Sequence, residues 1–331
     1  MKNEYEDNDH FLKEISGASA KGLGRTMVLD RLAPGTLEAV RLLPEFVHTV
    51  KIGWGLPMLL NRKKLEHRVR ELRSAGVDVS NGGTTMELAA SKGKHGLVLE
   101  QLMHSNFNSI ELSEGVVELH RSVKRDIAEF AHSNGMKLSV EVGRKNPRNQ
   151  LSLEGTVEKI NEALELEPDT VIIEGRETGR SVEIFDDAGE IKWDWVERIC
   201  EACPQDKLMF EAPQEKQQTE LILHLGKTVN LGNVSVQSIG ALATQRLGLR
   251  GDTLGVRTGS AHISGSPASR FIYHLLTEYG FMDQGRLMHM TGLTRRAVQS
   301  SLRYLISEGW VTEKLDPSDL RKRVYMAETV R

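Results

Sequence analysis

Eight short β-branched apolar runs, each followed by a stretch that is apolar every three or four residues, predict an α/β fold: a (β/α)8 TIM barrel followed by a small winged-helix domain. The runs lie at 26–30, 49–53, 77–81, 109–113, 137–142, 170–175, 207–212 and 228–232, with helical periodicity clearest at 59–74, 116–134 and 156–165. Alternating strands and helices imply parallel pairing, because a parallel neighbour is reached only through a long crossover. Eight such units in about 250 residues are what a closed barrel requires. A doubly wound open sheet would carry a Gly-x-Gly-x-x-Gly turn after its first strand. Here that turn reads Asp30-Arg31-Leu32-Ala33-Pro34-Gly35. The boundary is expected at 265/266, giving a barrel over 1–265 and a second domain over 266–331.

Composition narrows the class. The 331 residues are 39% hydrophobic and 27% charged, ordinary for a soluble globular protein. No run approaches the roughly 18 apolar residues that span a bilayer. The acidic, polar first ten residues read as neither a signal nor a transit peptide, so a cytoplasmic location is expected. The net charge of −3 divides unevenly, about +3 from Ser266 onward and −6 before it, which hints at separate partners for the two parts. The two cysteines, Cys200 and Cys203, end a helical stretch without the further ligands a zinc site needs, and read as ordinary thiols.

In such barrels function gathers where strands end and βα loops begin. These ends are polar: Asp30, Lys51, Asn81, Glu111, Glu141, Glu174, Glu211 and Asn230. A single glutamate there could as well cap the next helix. Four of them in apolar runs, one per βα unit, are harder to explain structurally, because a buried carboxylate is costly unless paired or metal-bound. Glu111, Glu141, Glu174 and Glu211 are therefore candidate ligands for Mg²⁺, a hard ion that takes oxygen ligands. Lys51, Lys145 and Arg176 lie at or just beyond the same mouth, either balancing those carboxylates or binding an anionic substrate. Two Gly-containing turns, at Gly82-Gly83 and at Asn230-Leu231-Gly232-Asn233, are candidate phosphate cradles, with Asp30 nearby.

Taken in order, the strand-end phrases resemble the phosphosulfolactate synthase family. They include Val50-Lys51-Ile52-Gly53-Trp54-Gly55, Gly82-Gly83-Thr84 with Glu87, Glu141-Val142-Gly143-Arg144-Lys145, Ile173-Glu174-Gly175-Arg176-Glu177 and Phe210-Glu211-Ala212-Pro213-Gln214. The resemblance covers about Gly24 to Asp252. It implies a Mg²⁺-dependent lyase that adds sulfite to phosphoenolpyruvate, a reaction best known from coenzyme M biosynthesis. It further implies Lys51 or Lys145 as the acid, Glu141 in the catalytic set and Arg176 with the 230–233 turn at the phosphate. Two departures stand out. The family usually has Lys-Gly where this chain has Arg31-Leu32, and Thr-Ser where it has Leu56-Pro57. Arginine keeps the charge of lysine but neither its shape nor its readiness to give up a proton.

After Gly265 the pattern turns helical and then to a hairpin, resembling a winged helix of the transcription-regulator kind. Arg295, Arg296, Gln299 and Arg303 on its third helix, and Arg321, Lys322 and Arg323 in the wing, are candidate DNA contacts. The same module could instead assemble a homo-oligomer or act as a lid. Two readings of the whole chain stay open: a sulfite-adding lyase assembled or regulated by its tail, and a metabolite-sensing DNA-binding regulator that uses a retuned barrel as its ligand domain.

Overall fold

The computed structural model describes residues 8–16, 18–253, 266–316 and 319–327. The chain divides into two compact units, one of Ser19–Ile222 with Lys227–Asp252, the other of Met1–Ala18, Leu223–Gly226 and Thr253–Arg331.

In chain order the elements begin with α1 (Asn8–Ser16), β1 (Thr26–Asp30), α2 (Thr36–Leu42), β2 (Thr49–Ile52), α3 (Leu56–Leu59), α4 (Arg62–Ser74) and β3 (Asp78–Asn81). They continue with α5 (Gly83–Ala90), α6 (His95–His104), β4 (Ser109–Ser113), α7 (Arg121–Ser133), β5 (Lys137–Val142), α8 (Leu153–Leu164) and β6 (Thr170–Ile173). Then come α9 (Trp193–Ala202), β7 (Leu208–Glu211), α10 (Glu215–Leu225), β8 (Asn230–Val234) and α11 (Ile239–Arg246).

The strands β1 to β8 form a closed barrel in sequence order, every pair parallel, with β8 returning to β1 at Thr26–Leu231 and Val28–Val234. Helices start where the sequence supplies caps. Asn61 accepts from the Lys63 amide ahead of α4, and Ser152 from the Gly155 amide ahead of α8. Inward residues recur at helical spacing, Leu65, Val69 and Leu72 on α4, and Ile127 and Ala131 on α7. Met27, Ile172 and Met209 pack together in a buried cluster, against which Gly232 is seated: a Cβ there would lie 2.9 Å from the Met27 methyl.

One strand is misplaced by the sequence. The eighth starts at Asn230 instead of ending near it, so Asn230 lies at the opposite end of the barrel from the mouth. Its buried amide accepts from the Arg25 amide at 2.8 Å and donates to the Leu208 carbonyl at 2.7 Å. The glycine at 232 suggested a strand end, whereas it marks a strand interior where methionines leave no room. Neither Asn230 nor Gly232 lines the mouth.

The second unit carries α12 (Pro267–Tyr279), β9 (Met282–Asp283), α13 (Gln284–Thr291), α14 (Arg295–Ser307), β10 (Val311–Asp316) and β11 (Asp319–Ala327). Its antiparallel sheet has the order β10-β11-β9. Ile272, Leu276, Leu287, Val298, Leu302 and Leu305 fill its core. The strand β9 has only two residues, too few to leave a pattern in the sequence. Among the described residues no helix is long and apolar enough to cross a membrane.

Candidate active site

The barrel presents its inward side chains where β2, β4, β5 and β7 end, and the pleat decides which residues those are. Alternate positions of a strand point to opposite faces, so Lys51, Glu111, Glu141 and Glu211 turn toward one cavity while Ile52, Ile110 and Phe210 are buried as apolar neighbours. Glu174, just past β6, joins them, and Lys145, Arg176, Trp54, Gly82, Gly83 and Asn233 complete the wall. All four glutamates and Lys51 are buried.

The charges interlock. The Lys51 ammonium lies 2.7 Å from Glu211, 3.0 Å from Glu111 and 3.6 Å from Glu141. Lys145 lies 2.7 Å from Glu141 and 2.9 Å from Glu174. Glu111 also accepts from the Gly83 amide at 2.7 Å, and Glu211 from the Gly175 amide at 3.1 Å. Gly83 is required there: a Cβ would sit 2.3 Å from the Ser113 hydroxyl.

This arrangement sets the protonation states. Burial opposes the Lys51 charge, but Glu111, Glu211 and Glu141 more than offset it, so its pKa stands well above the usual lysine value. Lys145 is likewise raised, burial being outweighed by Glu141 and Glu174. The carboxylates split. Burial, only partly countered by Lys51, pushes Glu111 up to about 7. Glu141 overcomes its burial because Lys145 and Lys51 both bear on it, and drops to about 2. Glu174 is raised well above its usual range by burial and then by the charges of Glu141 and Glu211.

Three of the four carboxylates can converge on one ion. Oxygens of Glu141, Glu174 and Glu211 lie within 4.8 Å of one another, and Glu174 Oε2, though beside Lys145, makes no hydrogen bond. A hard, oxygen-coordinated cation fits that donor set. Glu111 falls outside the triad, held by Lys51 and Gly83.

Arg176 is positioned through its backbone. Its φ is 55°, its N–H donates to Glu174 at 2.7 Å, and its carbonyl accepts from the Asn233 amide at 2.7 Å. Among the described residues its guanidinium makes no ion pair, which leaves it available to a ligand. Asn233 thus reaches the cavity, but as a support for Arg176 and Glu211.

Asp30 does not line the cavity. Its side chain is fully buried toward α4, where Arg68 grips it at 2.7 and 2.6 Å, and it also accepts from the Leu32 amide and the Thr36 hydroxyl. A strand-end aspartate and a site aspartate look alike in sequence, and the β1 pleat sends Leu29 inward instead. Trp54 and Glu177 also line the cavity; both lie within the strand-end phrases, but nothing in the sequence marks them as site residues, and the φ of 56° at Trp54, rare for a bulky residue, is the structural sign of a special position. The cysteines are inert by burial, which raises Cys200 to about 12 and Cys203 to about 11.

In the second unit Arg295, Arg296 and Arg303 are exposed on α14, but Gln299 is half-buried and hydrogen-bonded to Gln284. Arg323 is ion-paired with Glu313. The side chains of Arg321 and Lys322 lie outside the described residues.

A parallel eight-stranded barrel with buried carboxylates and lysines at the mouth where the βα loops begin defines a TIM-barrel enzyme. The family model for (2R)-phospho-3-sulfolactate synthase matches residues 18–252, and the chain belongs to that family. It is 34% identical over 236 residues to the phosphosulfolactate synthase of Methanocaldococcus jannaschii, covering 70% of this chain and 94% of that one. The corresponding protein of Methanothermobacter thermautotrophicus is 35% identical over 249 residues, 74% of this chain and 96% of its own. That of Bacillus subtilis is 30% identical over 236 residues, 70% and 92% of the two chains. The family match ends at Asp252.

Proposed function

We propose that this chain is a Mg²⁺-dependent lyase that joins sulfite to phosphoenolpyruvate, giving phosphosulfolactate. The supporting observation is the buried triad Glu141–Glu174–Glu211 interleaved with Lys51 and Lys145, in a chain of this family. In the reaction the sulfur lone pair of sulfite attacks the methylene carbon of the enol phosphate, and the C=C electron pair moves toward the substrate carboxylate. The neighbouring carbon then takes a proton, and the phosphate ester stays intact.

Glu141, Glu174 and Glu211 would hold Mg²⁺, which supplies Lewis-acid stabilisation of the charge that develops on the carboxylate. Lys51 and Lys145 are both protonated, so either one could donate to that carbon, although their raised pKa makes each a weaker acid than a free lysine. Their charge also offsets the repulsion between two anionic reactants. Arg176 would take the phosphate beside the start of α5, whose Gly83 amide is already given to Glu111. Gly82, as the residue before that helix, keeps the backbone close: a Cβ there would meet Gly53 at 2.9 Å.

Purified protein incubated with sulfite, phosphoenolpyruvate and Mg²⁺ should form the sulfonate product, and a chelator should stop it. A folded protein that gives no product with any divalent metal overturns this reading.

For residues 266–331 we propose a winged helix that contacts DNA through α14. Its three helices, its three-stranded sheet and the exposed Arg295, Arg296 and Arg303 support this.

A further inference from the structure

Every ammonium inside the cavity is already committed. Lys51 and Lys145 are each shared between buried glutamates, and with Arg176 they set three cations against five carboxylates, Glu177 included. A site for two anions gains from positive charge beyond its wall, even with a cation held by the triad. A further cation stands beside this wall: the guanidinium carbon of Arg31 lies 4.8 Å from the centre of the Trp54 ring.

We infer that Arg31 is an anion-binding residue of this site, parked on Trp54 until a substrate anion draws it inward. The inference rests on the reading that the cavity takes small anions. Its support is independent of the carboxylate triad. Trp54 lines the cavity whereas Arg31 does not, so the guanidinium rests on a residue of the cavity wall. Among the described residues Arg31 forms no ion pair. A stacked guanidinium keeps its charge and its unused N–H groups, so an incoming oxyanion gains a bidentate partner.

The surroundings suit a part that moves while its base stays fixed. The loop carrying Arg31 is tied down by Asp30, which accepts from the Leu32 amide at 2.9 Å and is itself gripped by Arg68. Trp54 is held differently, through a single indole N–H bond of 3.1 Å to the exposed Glu177, and half of its surface is open to solvent. Leu32 and Trp54 both have left-handed backbones, φ 64° and 56°, a conformation bulky side chains adopt only under constraint and one that gathers at ligand clamps.

Two measurements on the full chain test this. Tryptophan emission, taken as the difference between the protein and Trp54→Phe, should change when phosphoenolpyruvate or inorganic phosphate is added with Mg²⁺. Arg31→Ala should weaken phosphoenolpyruvate binding, followed by calorimetry, by about tenfold, as expected for the loss of a charge-assisted pair. Arg31→Lys should recover part of that loss. In turnover, KM should rise with kcat nearly unchanged. Binding unchanged within about twofold by Arg31→Ala, or a Trp54 signal that stays silent while calorimetry records binding, overturns the inference, as does a protein that binds no anion. Anion binding that depends on Arg31 without any sulfite addition would instead defeat the lyase reading and leave this inference standing.

Discussion

Replacing Lys51 with methionine removes the one charge that touches three of the four buried glutamates of the cavity. The side chain keeps its volume, so the perturbation is electrostatic. In the native protein the ammonium lies 2.7, 3.0 and 3.6 Å from Glu211, Glu111 and Glu141. Breaking a buried ion pair from one side typically costs about 3–5 kcal/mol, because the surviving charge is left unpaired. Here the surviving groups can take up protons, which limits the loss and makes it depend on pH. A carboxyl whose pKa is raised by folding binds more protons folded than unfolded, so its contribution is greatest below the unfolded value and fades as pH rises through the folded one. Glu111 stands at about 7 with Lys51 present, and loses its main counter-charge in the variant. One extra proton bound on folding is worth about 1.4 kcal/mol per pH unit. Because Glu111 already carries that extra proton below about pH 7 in the parent, the deficit in Lys51→Met should be smallest at acid pH and grow by roughly 1.4 kcal/mol between pH 7 and 8. Urea unfolding at several pH values measures it. Added Mg²⁺ should raise the midpoint of the variant, since only the folded triad binds the ion. A pH-independent deficit below about 1 kcal/mol would refute the charge accounting, because Lys51 would then contribute no more than an exposed pair.

Glu141→Gln and Glu211→Gln should each cut turnover at least ~100-fold while leaving the barrel folded, as expected for groups that act on the transition state; near-full activity in either would make that carboxylate structural. Metal affinity should rise with pH, because Glu174 is held protonated well above its usual range and must release that proton to ligate; calorimetry in buffers of different ionisation enthalpy reads the proton released. Arg68→Ala should destabilise the barrel by roughly 2–3 kcal/mol, less than a fully sealed pair because Arg68 is partly exposed, by stranding Asp30. Charge removal at Arg295 and Arg296 should weaken DNA retention and flatten its salt dependence, since each lost phosphate contact releases one counterion fewer; unchanged retention would argue that α14 does not meet DNA.

Much of this was legible in the linear chain because it depends on period and count. Alternation of two-residue and 3.6-residue patterns announces parallel strands with crossover helices, and eight units close a barrel. Glu111, Glu141, Glu174 and Glu211 stood out because carboxylates inside apolar runs demand partners, and the partners, Lys51 and Lys145, were visible at neighbouring strand ends. The third helix of the tail was legible from Thr294, which caps it by accepting from the Ala297 amide.

Tertiary structure decided what depends on direction and distance. Asp30 and Lys51 both sit at strand ends, yet the first turns to Arg68 and the second into the cavity, a matter of pleat that a run of apolar neighbours on both faces conceals. Asn230 looked like a strand end because it precedes a glycine, and only the packing of Met27 and Met209 against Gly232 shows the strand running on to Val234. The grouping of Glu141, Glu174 and Glu211, with Glu111 apart, follows from hydrogen bonds to Gly83 and Gly175 that no spacing encodes. Arg31 resting on Trp54 joins loops after two different strands. A sequence states which charges a barrel must accommodate; the closure of the sheet brings distant strand ends within a few ångströms and so decides which charges meet.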